Sequence, residues 1–165
     1  MELRAALPTD VASIQSIYAH HVCHGLGTFE TVPPDVHEMA SRHAQITAAG
    51  FPYLVAVDAG AVVGYAYANQ FRTRAAYRYT VEDSVYIAPD AQRRGVGKEL
   101  LSELVARCSA QGLHQMLAVI GDSGNLGSIG LHRACGFEDV GVMKAVGRKF
   151  DRWVDVVIMQ RALAD

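Results

Sequence analysis

The sequence predicts a mixed α+β fold, with a central sheet of about seven strands flanked by about four helices. Three features carry that prediction. Short apolar segments of strand length, separated by Gly- and Pro-rich turns, fill the middle of the first half. From Val96 to Cys108 the apolar period changes to that of a helix. Beyond it, strand-like segments return on both sides of a short helix. No repeat, low-complexity tract or linker interrupts the 165 residues, so residues 1–165 read as one domain, long enough to bury a core without metals or disulfides.

Leu3–Leu7 reads as a first strand. Thr9 or Asp10 can cap a helix running to about His20, with Val11, Ile14, Ile17 and Tyr18 on one face. A turn-rich stretch through Gly25, Gly27, Pro33 and Pro34 leads to a helix over about 35–49, stopped by Gly50 and Pro52. Tyr53–Asp58 and Ala61–Asn69 flank a Gly-containing hairpin turn. Residues 70–78 are polar, carry three arginines and read as an exposed loop. Tyr79–Ile87 alternates and is rich in aromatic and β-branched residues, which suits a long strand. Val96, Leu100, Leu101, Leu104, Val105 and Cys108 then mark a helix ended by Gly112. Gln115–Ile120 is a buried strand, 125–134 a short helix closed by Gly136, and 137–146 with 153–161 a final hairpin. The order is an antiparallel meander, a strand–helix–strand–helix unit and a closing hairpin.

Fifteen Lys and Arg against seventeen Asp and Glu give a net charge of −2, which argues against nucleic acid as a partner. No apolar stretch approaches the ~20 residues of a membrane span, so no membrane partner is expected. The N-terminus lacks the layout of a signal peptide. Cys23, Cys108 and Cys135 show no paired spacing, and a reducing, cytoplasmic setting is expected. His20-His21-Val22-Cys23-His24 is dense in ligand types, yet adjacent histidines on a helix point apart and no second cluster has zinc-type spacing. No metal is expected, and the cluster reads as the end of the first helix and the rim of a cleft.

The most informative segment is Tyr86-Ile87-Ala88-Pro89-Asp90-Ala91-Gln92-Arg93-Arg94-Gly95-Val96-Gly97-Lys98, a strand running into a helix. Two glycines let the backbone turn tightly, and the first helical N–H groups have no internal partner, so the helix start is suited to a phosphate. Arg93, Arg94 and Lys98 add positive charge. A Walker loop fails because Glu99 follows Lys98, and a dinucleotide fingerprint fails because Leu100 stands where Gly or Ala is needed. The alternative is a tight strand-to-helix turn and nothing more.

Gln92-Arg93-Arg94-Gly95-Val96-Gly97 resembles the signature of the GNAT superfamily of N-acetyltransferases. Asn125 through Ser128 to His132, Cys135, Gly136 and Phe137 match the same family downstream, with His132 where a Tyr commonly stands. Thr80-Val81-Glu82-Asp83-Ser84-Val85-Tyr86-Ile87, Ala118-Val119-Ile120, Lys149 to Asp155 and Thr28 to Pro33 are similar to the phosphinothricin and methionine sulfoximine acetyltransferase branch. The likeness covers essentially the whole chain and departs only at Gly121–Gly124, one residue longer than in close relatives, which bears on the shape of the acyl pocket.

The resemblance implies a GNAT-like fold with acetyl-CoA as cosubstrate and a small-molecule amine as acceptor. It places the pyrophosphate on Arg93, Arg94, Gly95, Val96, Gly97 and Lys98, and the pantetheine arm beside Asn125 and Ser128. Backbone groups of Val85, Tyr86 and Ile87 would polarise the carbonyl, and Glu82 would act as general base, a surface ion pair being its bland alternative. His132 is a second base, a proton donor or a cofactor contact. Arg72, Thr73 and Arg74, with Asp83 and Ser84, would line the acceptor pocket. Arginine grips a carboxylate with two bonds, which suits an amino-acid-like acceptor. An acetyl-Cys135 route is conceivable, but direct transfer is expected. Trp153 and Lys149 fit a homodimer interface. A protein or peptide acceptor and a non-catalytic acyl-CoA sensor remain as other readings.

Overall fold

The computed structural model describes residues 1–163. Seven strands form one sheet: β1 (Glu2–Ala5), β2 (Tyr53–Asp58), β3 (Ala61–Gln70), β4 (Thr80–Ile87), β5 (Gln115–Gly121), β6 (Glu138–Lys149) and β7 (Arg152–Ala162). Their spatial order is β1-β2-β3-β4-β5-β7-β6, antiparallel throughout except between β4 and β5. Four α-helices flank it: α1 (Val11–His24), α2 (Val36–Ala48), α3 (Val96–Ala110) and α4 (Leu126–Ala134). The predicted meander, crossover unit and closing hairpin are all present.

Alternation along the strands builds two cores. Leu54, Ala66, Ala68 and Val81 face α3, whose Leu100, Leu101 and Leu104 are fully buried there. Truncating any of those leucines to Ala costs about 2–5 kcal/mol. The intervening residues Tyr53, Val55 and Tyr65 face α1 and α2, against Ile14, Ile17, Tyr18 and Met39. Tyr53, Tyr65 and Tyr67 stack in parallel on that face, and Tyr86 continues the row toward Tyr18.

Two tight turns fix the hairpin registers. Asp58 pairs with Ala61 across Ala59 and Gly60, both at positive φ, and Lys149 pairs with Arg152 across Phe150 and Asp151, also both positive. That backbone matches the twist of the strands it joins. Three expectations need amending. Helix α1 runs on to His24, so the histidine cluster is helical. Asp10 makes no side-chain cap on α1. It is taken instead by two bonds from Arg4 and one from the Leu7 N–H. Strand β6 extends to Lys149, with register shifts at Asp139/Gly141 and Met143/Gly147.

Candidate active site

The site follows from how little β4 and β5 touch. Parallel pairing holds only at Thr80, Val81 and Glu82, opposite Gln115, Met116 and Leu117. Beyond Glu82, β4 stays with β3 and β5 stays with β7, so the two strands part and leave a wedge. Phe71 donates to the Thr80 carbonyl and the Ala88 N–H donates to Val63, so even-numbered residues of β4 turn their peptide groups to β3. Val85 and Ile87, beyond the paired stretch, therefore turn theirs into the gap, where β5 offers no partner. The Ile87 carbonyl accepts from His21 Nε2 at 2.8 Å, a side chain standing in for the missing strand. Burial lowers the His21 pKa, partly offset by that carbonyl. Tyr86, by contrast, directs its backbone to β3 and its ring to α1, so among Val85–Ile87 only the outer two present peptide groups to the wedge.

The wedge opens into a cleft of about 1000 Å³. At one end stands the start of α3. Gly95 caps it at φ +83 and has no side chain to satisfy the helix, so the first N–H groups stay free for a ligand. Arg93 and Lys98 line this end, and Gly97 lets α3 approach α4: a Cβ there would lie 3.1 Å from Leu131. Arg94 does not line the cleft; it pairs with Asp58 at 2.6 Å. The opposite wall is the start of α4, where the Asn125 side chain accepts from the Ser128 N–H at 3.2 Å.

Two acidic residues sit side by side on β4 and face opposite ways. Glu82 is half-buried in the cleft wall, and burial, with the neighbouring Asp83 charge, raises its pKa above the ordinary carboxylate value. Asp83 is buried and accepts from His132 Nε2 at 2.8 Å through Oδ2, while its Oδ1 has no partner among the described residues. His132 Nδ1 lies 2.7 Å from the Ser128 carbonyl, and Phe137 packs edge-on against the ring. Burial by itself disfavours the imidazolium, but Asp83 and the Ser128 carbonyl outweigh it and raise the His132 pKa.

The cleft thus gathers Glu82 through Ile87, Arg93, Gly95 through Lys98, Asn125, Ser128 and His132. It leaves out the arginine loop. Arg72, Thr73 and Arg74 are exposed, and Arg72 lies over the rings of Phe71 and Tyr77 at 5.0 and 5.9 Å. Cys135 is buried outside the cleft, Cys108 is pushed up to about 12 by burial, and Cys23 is exposed. No group of metal-ligating residues forms among the described residues. The cleft also includes residues given no site role from the sequence alone: His21, Leu26, and Val119 to Asp122 on β5 and just beyond. Val119 to Asp122 stood out only as part of the resemblance and its departure, and His21 only within the histidine cluster.

A family model for the acetyltransferase (GNAT) family matches residues 9–137. The chain belongs to the GNAT acetyltransferase family. A phosphinothricin N-acetyltransferase from Alcaligenes faecalis is 55% identical over 161 residues, covering 98% of this chain and 82% of that one. An L-methionine sulfoximine/L-methionine sulfone acetyltransferase from Pseudomonas paraeruginosa is 44% identical over 162 residues, 96% of this chain and 92% of its own. Among solved structures, a phosphinothricin acetyltransferase from Sinorhizobium meliloti in complex with AcCoA superposes with a TM-score of 0.96 at 53% identity, covering 99% of this chain and 88% of that one. The seven-stranded sheet and four helices are the single-domain GNAT fold, and the protein is an N-acetyltransferase.

Proposed function

We propose that this GNAT enzyme transfers the acetyl group of acetyl-CoA directly to the α-amino group of a small amino-acid-like acceptor of the phosphinothricin or methionine sulfoximine type. The observation that carries it is the wedge: Val85 and Ile87 turn backbone N–H groups that no neighbouring strand pairs into a cleft that also holds Glu82 and the uncapped start of α3. Those features fit acetyl-CoA. Arg93, Lys98 and the first N–H groups of α3 would hold its phosphates, and the wedge would take its amide-bearing arm. Acetyl-CoA supplies an activated acyl group whose carbonyl must be polarised and whose sulfur leaves with negative charge.

This chain's residues answer each need. The N–H groups of β4 in the gap are fixed donors for a carbonyl oxygen. Glu82, with its raised pKa, is the base that takes the ammonium proton, directly or through water. His132 is held by Asp83 with an acceptor on each nitrogen, so it acts as a buried cation on the thiol side; donating a proton requires one of those bonds to break. With no cysteine lining the cleft among the described residues, transfer is direct. Arg72 and Arg74 leave β3 close in sequence to Asn69, the partner of Glu82, and would grip the acceptor carboxylate from the rim.

We treat residues 1–165 as one catalytic domain, acting in the cytoplasm, where three free cysteines stay reduced. A second copy of the chain suits the exposed apolar edge formed by Val140, Val142, Val146 and Trp153. The test follows thiol release from acetyl-CoA across a panel of amino acids and analogues, for wild type and Glu82→Gln. Turnover with methionine sulfoximine or phosphinothricin, falling ~100-fold or more in the variant, is expected. No thiol release across the panel despite tight acetyl-CoA binding would withdraw the acceptor assignment.

A further inference from the structure

The loop between α1 and α2 closes one side of the cleft, with Leu26, Thr28 and Phe29 lining the same space as Glu82. It is tied down from both directions. On the helical side, the Tyr18 hydroxyl meets Thr28 Oγ1 at 2.8 Å and donates to Glu30, which Arg42 grips with two bonds at 2.9 and 2.8 Å. On the sheet side, Lys149 is buried and donates from Nζ to the Thr28 carbonyl at 2.8 Å.

Between these ties the ring of Phe29 lies where two glycines leave room. A Cβ on Gly147 of β6 would fall 2.2, 2.6 and 2.8 Å from Phe29 Cε2, Cζ and Cδ2. A Cβ on Gly121 of β5 would fall 3.1 Å from Phe29 Cε1 and 2.1 Å from the Leu26 carbonyl oxygen. Gly147 lies where β6 shifts register, and its φ is one that any residue adopts. Its lack of a side chain therefore serves the ring and not the backbone.

We propose that Gly147 is a specificity-determining residue acting through Phe29. By admitting the ring to a seat between β5 and β6, it sets the depth of the acceptor end of the cleft and the size of acceptor that fits. The proposal rests on the reading above, that the acceptor binds beside Glu82. Gly147 itself touches no ligand. A methyl group at 147 forces the ring to move by at least about 1 Å to regain ordinary contact, and misplacement on that scale is enough to cost up to about 100-fold in rate.

The test is a double-mutant cycle on the full chain with Gly147→Ala, Phe29→Ala and the pair. In steady-state kinetics with acetyl-CoA and methionine sulfoximine, Gly147→Ala is expected to raise the acceptor KM by ~10-fold or more while the acetyl-CoA KM stays within about twofold. On the Phe29→Ala background the same substitution is expected to change neither. Thermal melts read the seat without turnover: Gly147→Ala lowers Tm by roughly 3–8 °C alone and by less than about 1 °C on Phe29→Ala. An unchanged acceptor KM, an equal rise in both KM values, or additive Tm losses would each overturn the inference. If the melts couple but no acceptor in the panel turns over, the seat stands, while the acceptor reading and the specificity assigned to Gly147 both fall.

Discussion

Asp83→Asn tests whether the buried partner of His132 holds a charge. The two side chains are 2% and 5% exposed, Oδ2 and Nε2 are 2.8 Å apart, and the Ser128 carbonyl occupies the other ring nitrogen. Only the imidazolium can donate to both acceptors. A hydrogen bond to a charged group contributes about 1.5–3 kcal/mol, and a neutral replacement retains about 1. The substitution should therefore cost about 0.5–2 kcal/mol. For a chain of this length that is roughly 1–8 °C in Tm. The sign with pH follows from the raised pKa of His132 in the folded state. Stabilisation is complete below the unfolded value near 6.5 and is lost as pH rises through the higher folded value. Melting curves of wild type and Asp83→Asn between about pH 5.5 and pH 9 should therefore diverge most at the acid end and converge toward the alkaline end. A deficit of equal size at every pH, or none at all, would refute the charged pair.

Three further outcomes are expected. Because Glu82 must be ionised to take a proton and its pKa is raised, kcat/KM should climb with pH through a value above the usual carboxylate range, and Glu82→Gln should flatten that limb. Lys98→Ala and Arg93→Ala should each raise the acetyl-CoA KM at least severalfold, whereas Arg94→Ala should change it less and, as an exposed pair with Asp58, alter stability by under about 1 kcal/mol. Gly97→Ala gains helix propensity of about 1 kcal/mol but brings a methyl to 3.1 Å from Leu131; acetyl-CoA KM should rise while Tm moves by no more than a few degrees.

The fold was legible because its signals are local. The change of period at Val96, the turn at Asp58–Ala61 and the Asn125 cap each occupy a few residues. The start of α3 was legible for the same reason, since Gly95, Gly97 and Lys98 sit within four consecutive residues. What escaped depended on distant segments meeting. Asp83 was placed with the acceptor, and its bond to His132 appears only when α4 packs onto β4. Arg94 looked like its neighbour Arg93 until β2 brought Asp58 beside it. The seat of Phe29 joins residues more than a hundred positions apart, and its signal in the sequence is two glycines with no turn to explain them.

The short seam between β4 and β5 has a mechanical consequence. Below Glu82 the sheet is continuous and one core runs beneath both halves, but above it no strand pairing joins them, and side-chain ties such as Asp83–His132 and Lys149–Thr28 bridge the gap. A cosubstrate arm lodged there, as proposed, would splice the sheet, and its binding energy would become cohesion between the halves, about 2.7 kcal/mol at a hundred times Kd. Amide hydrogens flanking the fork should exchange more slowly as cosubstrate is added. Resistance to protease then becomes a gauge of how much cosubstrate surrounds the enzyme.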